Sequence, residues 1–411
     1  MTNQPGLSTT ILRSGRRLPA FALGLLCALT VIATQPVQAQ TFTVLHTFTG
    51  QGDGSNPVAG LTLDRAGNLY GTTSNLQFPP GNGTVFKLSR ARSGWTLNTL
   101  YAFLGGTDGA NPQARVIFGP DGTLYGTTTN GGLGFGTVFN LRPPARACAS
   151  VNCSWDETVL YRFTGGRDGA YPQYGDLAFD AAGNIYGTTS NGGIGAGVVF
   201  EISRSGAGWT ESVLYAFSGG DGPYSGVIFD SAGNLYGTTL GTVYELTPSG
   251  SGWTETTLHT FGGEGDGAQA YGGLIFDQQG NLYGTTFNDG ENNAGTVYEL
   301  QQSGGHWTQT VLKFVAIGPT DTPTMDASGD LYATLGGLNS PNFGAVFELS
   351  PGGNGWTFTD LFDFTGAPFA DGFSPIGGVV LDSGRNVYGT TFLGGDMNCG
   401  EGCGVVWEIT P

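Results

Sequence analysis

Six regularly placed Asp-Gly pairs, at Asp53, Asp108, Asp168, Asp221, Asp266 and Asp371, recur along this chain among its Asp-Gly dipeptides, and four more acids, Asp289, Glu291, Asp396 and Glu401, lie in other glycine-rich stretches. Carboxylates gathered on one face can do two kinds of chemistry. As oxygen donors they bind calcium or a polyhydroxylated ligand, and as a pair with unlike pKa values they could work as acid and base on a glycosidic bond. A plainer role competes with both: an Asp accepts backbone N–H bonds and so caps its own turn, and the regular repetition favours that role. Other reaction centres are missing from the text of the chain. No nucleophile elbow, histidine metal motif, phosphate-cradling glycine loop or dinucleotide fingerprint is present. Of the three histidines, His46 and His259 occupy a place held elsewhere by Tyr101, Tyr161 and Tyr215, and His306 reads as a turn residue. No catalytic residue and no cofactor is expected, calcium being the exception that the ten acids would admit.

What must position these acids is a repeat. AGNLYGTT (66–73), DGTLYGTT (121–128), AGNIYGTT (182–189), AGNLYGTT (232–239), QGNLYGTT (279–286), SGDLYATL (328–335) and GRNVYGTT (384–391) recur every 47 to 61 residues. A period of that length marks stacked supersecondary units. The fourth unit shows the parts with least decoration: GVIFD (226–230), a Ser-Ala-Gly-Asn turn, LYGTT (235–239), GTVYEL (241–246), a second turn, and WTETTLHTF (253–261). β-Branched and aromatic residues fill the runs, and Gly, Pro, Asn, Asp and Ser mark the gaps. Four short antiparallel strands at this spacing predict an all-β chain built as a seven-bladed propeller. Asp-x-x-Gly-Asn, as at Asp64 to Asn68, supplies the first hairpin turn, and Trp95, Trp155, Trp209, Trp253, Trp307 and Trp356 start each fourth strand and are expected in the core, with Trp407 in a third strand. The link carrying Asp-Gly and the loop between strands two and three must then emerge on one face of the disc.

The ends of the chain predict how the ring closes. TFTVLHTF (41–48) matches a fourth strand such as TETTLHTF (254–261), whereas the chain ends in GVVWEITP (404–411), which matches a third strand. The seventh unit lacks its fourth strand and the N-terminal stretch has one to spare, so the two should pair and remove the open edges that template aggregation. Departures from the repeat point to where a specific ligand would sit. The sixth unit replaces the Asp-Gly link with Pro319-Thr320-Asp321-Thr322 and carries Ala333 in place of Gly, while the first, fifth and seventh units have enlarged loops after LYGTT.

Residues 1–39 read as an export signal, with Arg13, Arg16 and Arg17 before an apolar run at 21–33 and Val37-Gln38-Ala39 before a cut at Gln40. The run is too short to span a bilayer comfortably, so no membrane span is expected, and residues 40–411 form a single propeller. Removing three arginines and no acid takes the net charge from −17 to −20, with Lys87 and Lys313 the only lysines. Such a surface excludes nucleic acid and anionic lipid as partners and leaves a glycan or an extracellular protein, bound by a monomer. Cys27 leaves with the signal. Cys148 and Cys153, and Cys399 and Cys403, form two close pairs in long loops and predict two local disulfides in preference to one shared zinc site.

The recurring text VLYxFxGGxDGxxPxxGLxFDxAGNLYGTTxxGGxxGxGTVFxL resembles the GloVer tandem repeat of bacterial exported proteins, which occurs with a choice of C-terminal anchors. The resemblance spans nearly the whole mature chain. It implies an exported repeat protein and brings no catalytic residues with it. This chain ends at Thr410-Pro411 without an apolar tail, so secretion, extracellular or periplasmic, is expected rather than anchoring. Three roles follow: a non-catalytic binding or scaffold module for a glycan, protein or metal ion; a glycosidase or lyase with a carboxylate pair in the axial pocket; or a structural component of the envelope. Two facing carboxylates of raised pKa across a deep pocket would favour the enzyme.

Overall fold

The computed structural model describes residues 40–411 except 76–80, 93, 146–152, 207, 251, 263–264, 317, 337–342 and 367–369. Seven four-stranded antiparallel sheets follow one another, each ordered as the chain runs from inner to outer strand. In the first blade these strands are Thr62–Leu63, Leu69–Thr73, Thr84–Ala91 and Gly94–Ala102. The innermost strands are shorter than their apolar runs suggest, as in Ile228–Phe229 of the fourth blade. The last sheet takes Val380–Leu381, Val387–Thr391 and Val405–Thr410 from the C-terminal end and Thr41–Thr47 from the N-terminal end. The expected closure is therefore present. Its register runs from Thr41 opposite Thr410 to Thr47 opposite Val405, with a bulge between Val44 and His46. The same bulge recurs in the other six outer pairs, for example between Val85 and Phe86, so the N-terminal strand has the geometry of an ordinary fourth strand. Ala39–Pro411 is one compact unit.

Each letter of LYGTT has a physical task. The Leu enters the core between its own blade and the one before, with Leu69 fully buried in a cluster that includes Phe48 and Tyr388 of the seventh blade. The Tyr turns its hydroxyl to the hairpin Asp: Tyr70 Oη donates to Asp64 Oδ2 at 3.1 Å, and Asp64 also accepts from the backbone of Ala66 and Asn68. Burial alone would raise the Asp64 carboxyl; the bonds from Asn68 and Tyr70 outweigh it and hold the group below its ordinary value. This turn needs no ion. The Gly makes room for the aromatic of the third strand, since a Cβ on Gly71 would lie 2.5 Å from Phe86 Cζ. The first Thr ties one blade to the next: Thr72 Oγ1 donates to Ala114 O, Thr188 to Ser225 O, Thr238 to Gly272 O and Thr390 to Ala59 O. The second Thr caps the far end of the strand, as in the Thr73 to Thr84 hydroxyl pair at 2.8 Å.

The sixth blade shows why Ala333 is tolerated. The other six blades each set an aromatic of the preceding outer strand edge-on or tilted against the third-strand ring, as in Phe48 on Phe86 and Phe217 on Tyr244. In the sixth blade Val315 takes that place, and Phe347 stacks instead on Phe358 at 5.3 Å, freeing space for the methyl of Ala333. Gly71→Ala is expected to destabilise the protein by about 1–3 kcal/mol through overpacking, whereas Ala333→Gly should change it by about 1 kcal/mol or less. Urea midpoints of the two variants check this, and equal midpoints would contradict it.

Two expectations need correction. Six of the seven tryptophans are half-buried, not core; they lie along the seams, as Trp95 of the first blade does against Tyr388 of the seventh at 6.2 Å. A Trp at the start of an outer strand is too far from the axis to be covered on both faces, and only Trp407, in a third strand, is fully buried. His306 begins an outer strand, and Gly304-Gly305 make the turn before it.

Candidate functional site

Five of the six link aspartates are tied into their own turns, and Asp221 is tied to the loop between the second and third strands of its blade. Asp53 accepts from the N–H and hydroxyl of Thr49 and bonds His46 Nε2 at 3.2 Å. Asp108 accepts from Leu104 N and Tyr101 Oη, and Asp168 from Thr164 N and Tyr161 Oη. Asp266 accepts from Gly262 N and lies 3.6 Å from His259 Nε2; Asp371 accepts from Thr365, and Asp221 from Thr239 Oγ1 and Gly241 N. This explains why His46 and His259 replace tyrosines: each of these side chains reaches the Asp of the link that follows. Of the loop acids, Asp289 has a left-handed backbone, Glu291 opens a short 3-10 turn, Asp396 caps another by accepting from Asn398 N, and the backbone carbonyl of Glu401 accepts from Gly394 N. Among the described residues no three His, Cys, Asp or Glu side chains group as metal ligands. Cys399 and Cys403 form a disulfide with Cα atoms 5.1 Å apart, packed beside Phe48. Cys153 is disulfide-bonded, and Cys148 lies outside the described residues.

A cavity of about 390 Å³ lies on the axis, at the face that carries the links, and none of the ten acids lines it. Its walls come from the short segments that lead each link inward to the first strand, read in the repeat as PxxGL. The residue three before the apolar position lines the cavity in all seven blades: Val58, Gln113, Tyr174, Tyr224, Tyr271, Thr320 and Ile376. Successive inner segments touch backbone to backbone here, which is why the two positions nearest the apolar residue are mostly Gly, Ala or Ser. A Cβ on Gly226 would lie 2.2 Å from Asp176 O, and one on Gly377 would lie 2.6 Å from the carbonyl carbon of Ala59. Three blades depart from that rule, with Arg115, Asp176 and Asp321. All three side chains reach the cavity.

One wall is aromatic. Tyr174 and Tyr224 have near-parallel rings with centroids 6.3 Å apart; Tyr271 meets Tyr224 edge-on at 5.4 Å, and Phe287 meets Tyr271 at 5.7 Å. Tyr174 is 44% exposed and has φ of 62°, a conformation that bulky side chains rarely adopt. Its cause is an inserted residue: Asp168 to Leu177 is one residue longer than Asp53 to Leu61. The extra residue is absorbed in a tight turn, with Gly175 N donating to Gln173 O at 2.8 Å. At this junction the usual tie from the blade before is missing, and the buried Thr127 hydroxyl has no partner. Strain and a lost hydrogen bond are thus maintained where a tyrosine is pushed into a cavity, a pattern associated with functional sites.

The polar lining comes from the second, third and sixth blades. Arg115 donates from Nε to Asp176 Oδ2 at 2.7 Å and from Nη2 to the same oxygen, while its backbone N–H reaches Asp176 Oδ1 at 3.2 Å. The adjacent Asp176 charge keeps Arg115 firmly protonated despite desolvation. Asp321 accepts from Thr322 N at 2.6 Å and from Gly378 N. Burial pushes its carboxyl up and the nearby Asp176 charge adds to this, while Arg115 and the two N–H donors pull it down. Gln113 is 6% exposed, and its Oε1 has no hydrogen-bond partner. The sequence offered one signal for this site that repeat reading passed over: a charge standing where PxxGL calls for a small residue.

Several solved structures share the fold at low identity. The extracellular domain of a one-component system from B. thetaiotaomicron is 11% identical, with a TM-score of 0.55, and the match covers 90% of this chain and 40% of that one. A Lactobacillus plantarum protein is 14% identical with a TM-score of 0.51, covering 79% and 87%. PorZ, a surface component of the type-IX secretion system of Porphyromonas gingivalis, is 13% identical with a TM-score of 0.50, covering 88% and 48%. This chain spans about two fifths of the B. thetaiotaomicron chain. No curated protein matches the sequence. The profile of the Gloeobacter/Verrucomicrobia repeat matches twice, over residues 30–241 and 195–406, and the chain belongs to that repeat family.

Proposed function

We propose that this protein is an exported, non-catalytic binding module that takes a glycan at the axial cavity on its link-bearing face. The observation that carries the reading is the break in seven-fold symmetry at the axis: three successive blades place a tyrosine where the others have Val58, Gln113, Thr320 and Ile376, and Arg115, Asp176 and Asp321 stand at positions that the repeat otherwise fills with small residues. Symmetric positions serve the scaffold, so residues that depart from it at its most crowded place need another reason. An apolar wall with a few convergent polar groups, in a cavity at the small end of the usual range of about 300–1,000 Å³, suits a small ligand. Export is supported by the arginines before the apolar run at 21–33.

The enzyme reading draws on Asp176 and Asp321, two acids on one cavity. Their partners argue against it. Asp176 is held by Arg115, and both oxygens of Asp321 accept backbone N–H bonds, so neither is placed as a free general base. A glycan array and a polysaccharide-degradation screen on the same purified residues 40–411 test both readings. Retention of one glycan class without release of products is expected. Cleavage of the retained glycan, abolished by Asp321→Asn, would establish the enzyme instead.

A further inference from the structure

We infer that the axial cavity is a subsite for one neutral pyranose, a free sugar or the end of a chain, stacked on the tyrosine arc and read through a hydroxyl by Gln113. The inference rests on the binding reading above and gives it a ligand chemistry.

Three observations carry it. The first is Gln113, a residue of the cavity lining whose buried Oε1 has no hydrogen-bond partner. A buried amide oxygen left unpaired is unfavourable by about 1–3 kcal/mol, and Gln113 belongs to the cavity lining. An amide can present either of its ends, and a hydroxyl answers both because it donates and accepts. The second is the arc itself. Tyr174, Tyr224 and Tyr271 offer ring faces and edges on one side of the cavity, a surface that matches the C–H face of a pyranose while the polar wall meets its hydroxyl edge.

The third is charge. The chain carries −17 overall, and the cavity's only cation, among the described residues that line it, is Arg115, already paired with Asp176. An anionic sugar is therefore repelled. A cation finds aromatic faces, but both carboxylates already have donors, Asp176 from Arg115 and Asp321 from two backbone N–H groups. A neutral ring is what remains. All seven blades contribute to the wall, so a polymer cannot lie across the site and only a free sugar or a chain end enters.

The test is calorimetric titration of residues 40–411 with the methyl glycosides of glucose, galactose, mannose and N-acetylglucosamine, with choline as a cationic probe. At least one pyranoside should bind, and Gln113→Leu should weaken it at least tenfold without lowering the melting temperature, because the substitution removes an unpaired polar atom. Tyr224→Ala should weaken it to a similar degree. Choline binding more tightly than every pyranoside would overturn the inference. So would a polysaccharide that binds when no methyl pyranoside does, or sugar binding that survives both substitutions; these two outcomes leave the glycan-binding reading standing. Failure of every sugar and every arrayed glycan would overturn both.

Discussion

A protein shortened to begin at residue 49 is expected to aggregate or to lose its cooperative melting transition. The segment removed, 41–48, supplies the whole outer strand of the seventh blade. Phe48 at its end is fully buried against Phe86 of the first blade, and Phe42 stacks on Phe362 of the sixth with centroids 3.9 Å apart. The strand therefore touches the blades on both sides of the gap it fills. Loss of Phe48 alone should be unfavourable by about 3–5 kcal/mol, against a total stability of about 5–15 kcal/mol for an ordinary protein. Deletion also bares the strand Val405–Thr410 as an unpaired edge, which favours association between chains. Size-exclusion chromatography and thermal melting beside intact residues 40–411 decide the matter. A monomer with an unchanged melting temperature would mean that the ring does not depend on its closing strand.

The second large effect is expected at Trp407. Trp407→Ala should destabilise the protein by about 3–5 kcal/mol, while Trp407→Phe should change it by less than about 1.5 kcal/mol. The indole is fully buried among Tyr332, Phe364, Val387 and Ile409, with Phe42 packed alongside, so it joins the sixth blade, the seventh blade and the closing strand in one cluster. It also fills the space left by Gly389, where a Cβ would lie 2.3 Å from Trp407 Cζ2. A phenylalanine serves at the equivalent place in four other blades, at Phe86, Phe139, Phe200 and Phe347, and it would remove a buried indole N–H that has no partner. Urea denaturation measures both variants. Near-equal losses for Ala and Phe would show that packing volume is not what Trp407 supplies.

The fold was legible because its rules are local and repeated. A Tyr bonded to the Asp of its own hairpin, a Gly under an aromatic ring, and a Thr reaching one blade ahead are each encoded within a few residues, and their recurrence in most of the seven units makes the pattern plain. Closure was legible from the mismatch between the chain's two ends. The site was harder to read, for a physical reason. The Asp-Gly carboxylates drew attention because they recur, yet recurrence reflects a shared turn: Asp53 holds Thr49 and His46, and Asp168 holds Thr164 and Tyr161. The polar residues that line the axis do not recur from unit to unit. Gln113 and Arg115 sit in the second unit, Tyr174 and Asp176 in the third and Asp321 in the sixth, and only the ring brings them together. Asp321 stood out in the sequence as a departure of the sixth unit, but nothing local connected it to Arg115. The displacement of Tyr174 follows from a single inserted residue, which is visible in the text but has no meaning until the crowding at the axis is known.

The most direct test of the account is a crystal structure of residues 40–411 soaked with the methyl pyranoside of highest affinity. The account predicts a sugar ring in the axial cavity, its C–H face on Tyr224 and a hydroxyl within hydrogen-bond distance of the Gln113 amide. A sugar seated instead on the outer acids, such as Asp289 or Asp396, with the axial cavity empty, would contradict it.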